Sequence, residues 1–168
     1  MVPEFTNEPL TDFSNPANRQ AMENALRDVK GELDQGRRWP LVIAGQAVTT
    51  DGWIDSLDPC EKTTVVGRVA KAGRNEAERA LEAAWEVYDE WAAWDPAHRA
   101  RLVLKAAALM RRRKHLFSAT MVYEAGKTWP EADADTAEAI DFIEFYGREA
   151  LRLAQPQPLT RLPGEDNE

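Results

Sequence analysis

Few residues in this chain have the type and spacing to do chemistry. Cys60, in Asp58-Pro-Cys-Glu-Lys-Thr63, is the sole thiol and the one possible sulfur nucleophile. A catalytic thiolate needs a helix N-terminus, a base or a basic pocket, and Cys60 sits instead between a turn proline and an acid. It reads as a structural or incidental cysteine. Gly126-Lys-Thr128 ends like a phosphate loop, but the glycine required five residues earlier is Met121 and no strand precedes it. Arg111-Arg-Arg-Lys-His115 has the composition of a nucleic-acid patch, yet it lies on an amphipathic helix of an acidic protein and reads as a solvated or salt-bridged face. His98 and His115 have no carboxylate or cysteine at ligand spacing, so no metal site is assigned and both read as surface residues. No G-x-G-x-x-G occurs, so no dinucleotide site is assigned either.

One stretch is less ordinary. From Pro130 to Ala154 the pattern is helical, with Pro130 suited to the first helical position and Glu131, Asp133 and Asp135 near the positive end of the dipole. Ala132, Thr136, Ala139, Ile140, Ile143, Tyr146, Ala150 and Leu153 recur at three-to-four spacing and predict the core face. Beside it, Glu131, Asp135, Glu138, Phe142 and Phe145 run as a line of carboxylates into two aromatic rings. That line is either a solvated acidic rim next to core aromatics or the wall of a pocket.

The elements that must position this helix follow from the rest of the chain. Its 168 residues and 43% hydrophobic content suffice for one globular domain with a core. A formal net charge of −8 argues against general nucleic-acid binding. From residue 130 onward ten acids face three bases, so the excess negative charge is concentrated there. A single cysteine excludes an internal disulfide, and the lack of a signal peptide or long apolar run predicts a cytoplasmic location with no membrane partner.

Residues 1–16 are polar and proline-punctuated, with isolated Phe5 and Phe13, and predict an arm laid over a neighbouring surface. Residues 17–154 predict a helical part enclosing a small β-sheet at 39–72, an α+β arrangement. Its first helix carries Met22, Ala25, Leu26, Val29 and Leu33 on one stripe, with Gly36 placed to end it. Leu41-Val-Ile43, Val48-Thr-Thr50, Ile54 and Thr63-Thr-Val-Val66 predict short antiparallel strands that need helices or further strands to cover them. A helix capped by Asn75 should bury Ala77, Ala80, Leu81, Ala84, Trp85, Tyr88 and Trp91. After Asp95-Pro96, one long helix to about Tyr123 should turn Leu102, Ala106, Leu109, Met110, Leu116 or Phe117, Thr120 and Tyr123 inward. It has seven bases and no acid, so it should lie antiparallel to the acidic helix. Residues 155–168 predict an extended tail awaiting a neighbouring strand.

Composition and spacing stop there, but longer words go further. Asn7-Glu-Pro-Leu10, Pro40-Leu-Val-Ile-Ala-Gly45, Val65-Val-Gly-Arg-Val69, Lys105-Ala-Ala-Ala-Leu-Met-Arg-Arg-Arg-Lys114, Glu124-Ala-Gly-Lys127 and Glu131-Ala-Asp-Ala-Asp-Thr-Ala-Glu-Ala-Ile-Asp-Phe142 occur in order. Together they resemble the N-terminal part of bacterial 1-pyrroline-5-carboxylate dehydrogenases, of the aldehyde dehydrogenase superfamily. The resemblance implies NAD-dependent oxidation of L-glutamate γ-semialdehyde to L-glutamate in proline breakdown, by a homo-oligomer. It also implies that this chain lacks most of the Rossmann-like domain and all of the catalytic domain. The nucleophile, the base and the cofactor loops would then lie on the remainder of the dehydrogenase, leaving these residues inactive and without NAD. The tail would begin the oligomerisation arm. One functional position falls inside the match: in Ala137-Glu-Ala-Ile-Asp141 the resemblance assigns Glu138 to the substrate amino group, and Phe142 is the adjoining wall residue one turn on. The other reading of the chain is a non-catalytic helical binding or regulatory module derived from the same fold.

Overall fold

The computed structural model describes residues 4–33, 35–156, 159–160 and 162–165. Asn15 opens helix α1 (Pro16–Leu33) by accepting from the Ala17 N–H through its side chain, and Gly36, at φ +68, turns the chain out of it. Met22, Val29 and Leu33 on its inner stripe meet Val66 and Ala119, with Phe13, Leu116, Tyr123 and Trp129 packed around them. This is the core that the first stripe predicts.

The strands depart from a single antiparallel sheet. β2 (Leu41–Ile43) and β3 (Gln46–Val48) form a hairpin of their own, closed by Ala44 and Gly45 at φ 50 and 72, as a tight two-residue loop requires. β5 (Val65–Ala70) is the centre of a mixed sheet, antiparallel to β4 (Trp53–Leu57) but parallel to β1 (Arg38–Trp39). Pro40 separates β1 from β2, and a residue without an N–H cannot carry a ladder across that junction. The Trp39 ring lies across β5 so closely that a Cβ on Gly67 would sit 2.2 Å from it. Glycine is needed there for room.

The next helical region is α2 (Arg74–Glu86) and α3 (Tyr88–Ala93), broken at Val87 and begun by Gly73 rather than capped by Asn75. None of its predicted stripe is fully buried: Leu81 is 61% and Trp85 64% exposed, and Tyr88 and Trp91 also face outward. Helical period marks which side of a helix is apolar, but a covering surface must come from elsewhere in the fold.

The predicted long basic helix is two. α4 (Pro96–Arg112), capped by the Asp95 side chain, ends at Arg113 (φ −113, ψ 20), and α5 (Lys114–Ala125) starts immediately after. α6 (Trp129–Leu153) begins one residue before Pro130, behind a capping box in which Glu131 accepts from the N–H and hydroxyl of Thr128. α4 runs antiparallel to α6, with Arg111 paired to Glu144 and Leu104 against Gly147. α5 meets the first half of α6 through Lys114 with Asp133 and Ser118 with Thr136.

Which residues face inward also differs from the simple stripes. Ala100 and Ala107 are buried on α4, whereas Leu102, Ala106 and Leu109 are exposed. On α6 the buried residues are Ala132, Asp133, Thr136, Ala137, Ile140 and Gly147, while Tyr146, Ala150 and Leu153 are exposed. Small residues let the two helices approach closely, so large apolar side chains are displaced to the edges of the contact. The segment 4–15 lies against α6, and of the tail the described residues Leu159 and Leu162 are exposed. Predicted tail positions 157–158, 161 and 166–168 lie outside the described residues, as do 1–3 of the arm.

Candidate functional site: an aromatic groove beside an acidic strap

Glu138, Asp141, Phe142 and Phe145 stand three and four residues apart on α6, so the helix presents them on one face. With Tyr146, and with Phe5 and Asn7 from the arm, they line a groove of about 260 Å³. The rings are organised among themselves. Phe142 and Tyr146 stack at 6.1 Å and 10°, Phe145 meets Tyr146 edge-on at 5.5 Å, and Phe5 meets Phe145 edge-on at 5.7 Å. The structure therefore brings Glu138 and Phe142 to one groove, with Phe142 53% exposed in it.

The carboxylates of α6 divide sharply in what they touch. Glu131 is held by Thr128, which keeps its carboxyl below the usual range, and Asp135 pairs with Lys127. Glu144 accepts from Arg148 and Arg111, both at 2.9 Å, and these bonds, Arg148 foremost, lower its pKa despite partial burial. Asp141 accepts from the Asn7 side chain at 2.7 Å and the Glu8 N–H at 2.6 Å. Asp133, only 1% exposed, accepts from the Thr11 N–H at 2.7 Å, the Thr11 hydroxyl at 2.6 Å and the Lys114 ammonium at 3.1 Å. Glu138 makes no hydrogen bond or ion pair among the described residues. Among the described residues it is the open carboxylate of the groove.

The strap was not legible in single motifs. Asp133 and Asp141 are eight residues apart and so lie near one face, and together they hold residues 7–11 against the helix. The available signal was Asp133 itself, which stands at core register with Thr136, Ala137 and Ile140. An acid at such a position needs buried donors. Lys114 supplies one, bonding also to the Pro9 carbonyl at 2.8 Å, and Arg111 reaches Glu8 at 2.5 Å. The basic run is therefore partly salt-bridged inward.

The other candidates stand apart from this groove. Cys60 is exposed in a turn whose Asp58 side chain accepts from its N–H at 2.7 Å. Gly126, at φ +65, ends α5, and Lys127 and Thr128 link it to α6. His98 is exposed, edge-on to Trp94 at 5.0 Å. His115 is half-buried rather than at the surface, with Nδ1 out of water and unbonded, because α5 turns that face towards the arm side of the bundle. Among the described residues no cluster of three or more His, Cys, Asp or Glu could hold a metal, and no helix is long and apolar enough to cross a membrane.

Among the described residues, the turn from β5 to α2 is where strand-to-helix geometry could present amides to a pyrophosphate. That turn carries a single glycine, and the Gly73 N–H at the helix start already donates to Glu76 at 2.8 Å. A pyrophosphate would meet that carboxylate instead of free amides.

Helices on a small mixed sheet, a strapped arm and an acidic-aromatic groove are the setting in which the wider relationships become informative. Residues 47–167 match the aldehyde dehydrogenase family, and the chain belongs to that family. It is 52% identical over 167 residues to 1-pyrroline-5-carboxylate dehydrogenase from Geobacillus sp. (strain WCH70), a match covering 99% of this chain and 32% of that protein. The Thermus 1-pyrroline-5-carboxylate dehydrogenase solved with bound NAD is 52% identical and superposes with a TM-score of 0.91, over 98% of this chain and 32% of that one. The Mycobacterium tuberculosis enzyme bound with NAD and cobalamin is 28% identical with a TM-score of 0.84, over 96% and 30% respectively. The chain thus spans about a third of the length of the relatives it matches.

Proposed function

We propose that this chain is the N-terminal part of a cytoplasmic, NAD-dependent dehydrogenase that oxidises L-glutamate γ-semialdehyde to L-glutamate, and that Glu138 receives the substrate's ammonium group. The observation that carries this is the open carboxylate of Glu138 in a groove where the neighbouring acids of α6 are engaged. An ammonium group set between an ionised carboxylate and aromatic rings is held by a charge-assisted hydrogen bond in a partly dry site. Phe142 forms the adjoining wall and limits water. The remainder of the dehydrogenase supplies the nucleophile, the base and the cofactor site. The tail from residue 155 begins the arm that joins subunits of the homo-oligomer.

Two measurements test this. Residues 1–168 alone should neither bind NAD nor form NADH from glutamate semialdehyde; NADH production above the background rate would refute the division of labour. In a full-length dehydrogenase carrying this segment, Glu138→Ala should cost about 1–3 kcal/mol in kcat/KM for glutamate semialdehyde, as for lost hydrogen bonds to charged groups. A simple aliphatic aldehyde such as propanal has no ammonium group and should lose far less. Equal losses on both substrates would assign Glu138 to the shape of the helix.

A further inference from the structure

One turn along α6 from Glu138, a second carboxylate borders the same groove. Asp141 is withdrawn from it, because one oxygen accepts from Asn7 and the other from the Glu8 N–H. The same two bonds hold the arm where the Phe5 ring reaches Phe145, with the Arg148 guanidinium 6.0 Å from the centre of the Phe5 ring. Further along, Arg111 holds the Glu8 carboxylate, Lys114 holds the Pro9 carbonyl and Asp133 holds Thr11, so of the two aspartate ties the one to Asp141 lies nearer the Phe5 end. With the arm detached, two carboxylates would face the groove and one of its aromatic walls would be gone.

We propose that Asn7 and Asp141 are positioning residues that seat the arm as one wall of the groove, leaving Glu138 as the open carboxylate among its described residues, and that Phe5 is a specificity-determining residue for the ammonium-bearing aldehyde. The inference rests on the reading of Glu138 given above. It adds that selectivity depends on a segment more than a hundred residues away in sequence, through hydrogen bonds that touch no substrate. Asp141 aligns nothing by its charge towards the substrate; it consumes its own acceptors on the arm, so an incoming ammonium meets one carboxylate in one geometry. Phe5 excludes water from that contact and strengthens it.

The test uses a full-length dehydrogenase carrying residues 1–168, assayed with glutamate semialdehyde and with propanal. Asn7→Ala and Phe5→Ala should each lower the ratio of the two kcat/KM values roughly three- to tenfold, mainly through KM for the semialdehyde, the size of one weakened hydrogen bond to a charged group. Asp141→Asn keeps an acceptor for the Glu8 N–H and an amide that can pair with Asn7, so it should retain most of the ratio that Asp141→Ala loses. Combining Asn7→Ala with Glu138→Ala should lower the ratio no further than Glu138→Ala alone, since both act on one contact. A ratio unchanged by Asn7→Ala and Phe5→Ala, beside a ratio lowered by Glu138→Ala, would overturn this inference and leave the assignment of Glu138 standing. If Glu138→Ala leaves the ratio unchanged, the assignment itself falls. Equal losses on both substrates in the arm variants would mean that the arm only stabilises the fold, which also overturns the proposal.

Discussion

Replacing Asp133 by alanine should destabilise the chain by about 3–5 kcal/mol, the loss seen when one partner of a buried ion pair is removed. Three donors converge on this carboxylate at 2.6 to 3.1 Å, and at 1% exposure water cannot replace it. The Lys114 ammonium would keep the Pro9 carbonyl but lose its counter-charge, and the Thr11 N–H would lose its acceptor. Because small domains are held by only about 5–15 kcal/mol, the variant should lie near its unfolding midpoint or beyond it. Urea titration followed by far-ultraviolet circular dichroism reads the shift. Asp133→Asn, which still offers an acceptor to Thr11, should lose less. A wild-type midpoint in Asp133→Ala would mean that the strap contributes nothing net to the fold.

Met22→Ala should cost about 2–5 kcal/mol, the range for truncating large core side chains, because Met22 is 0% exposed between Val29, Val66 and Ala119. Leu81→Ala is the contrast. Leu81 removes as much apolar volume on paper, yet at 61% exposure it leaves no cavity and should change stability by no more than about 0.5 kcal/mol. Paired denaturant curves decide it. A comparable loss in both would show that α2 is covered in solution, for instance by association of chains through the outward aromatic side of α2 and α3, and midpoints that depend on protein concentration would identify that case.

Acid should loosen the contact between α4 and α6. Glu144 and Arg111 stabilise one another, and the Glu144 carboxyl is held below its ordinary value by Arg148 first and Arg111 next. A depressed carboxylate contributes stability that is present above its unfolded pKa and disappears as pH falls through the folded value. The partial exposure of Arg111 makes that contribution modest.

The two outcomes for Met22 and Leu81 mark the boundary between sequence and structure. Both residues sit on clear apolar stripes, and periodicity was sufficient to locate α1 and α6 and the start of α2 within a residue or two, though not the break at Val87, and to order Glu138 and Phe142 on one face. Local chemistry also foretold Gly36 as a terminator, a helix opening within one residue of Pro130 and the packing of basic α4 against acidic α6. These are properties of nearest neighbours along the chain, where a turn of helix or a missing N–H acts within a few residues. Whether a stripe is covered depends on segments far apart in sequence, so α1 is core while α2 is not. The same holds for the parallel pairing of β1 with β5, which joins residues thirty apart across Pro40, the β2–β3 hairpin and β4. It holds most of all for the groove: Asp133 and Asp141 look like two more acids on a solvated helix until Thr11, Glu8 and Asn7, more than a hundred residues away, are brought against them. Sequence alone determined which side chains share a face; the tertiary contacts decided which carboxylates are consumed as structure and which one remains open, because a hydrogen bond is settled by proximity in space and a helical period carries no information about what arrives from elsewhere.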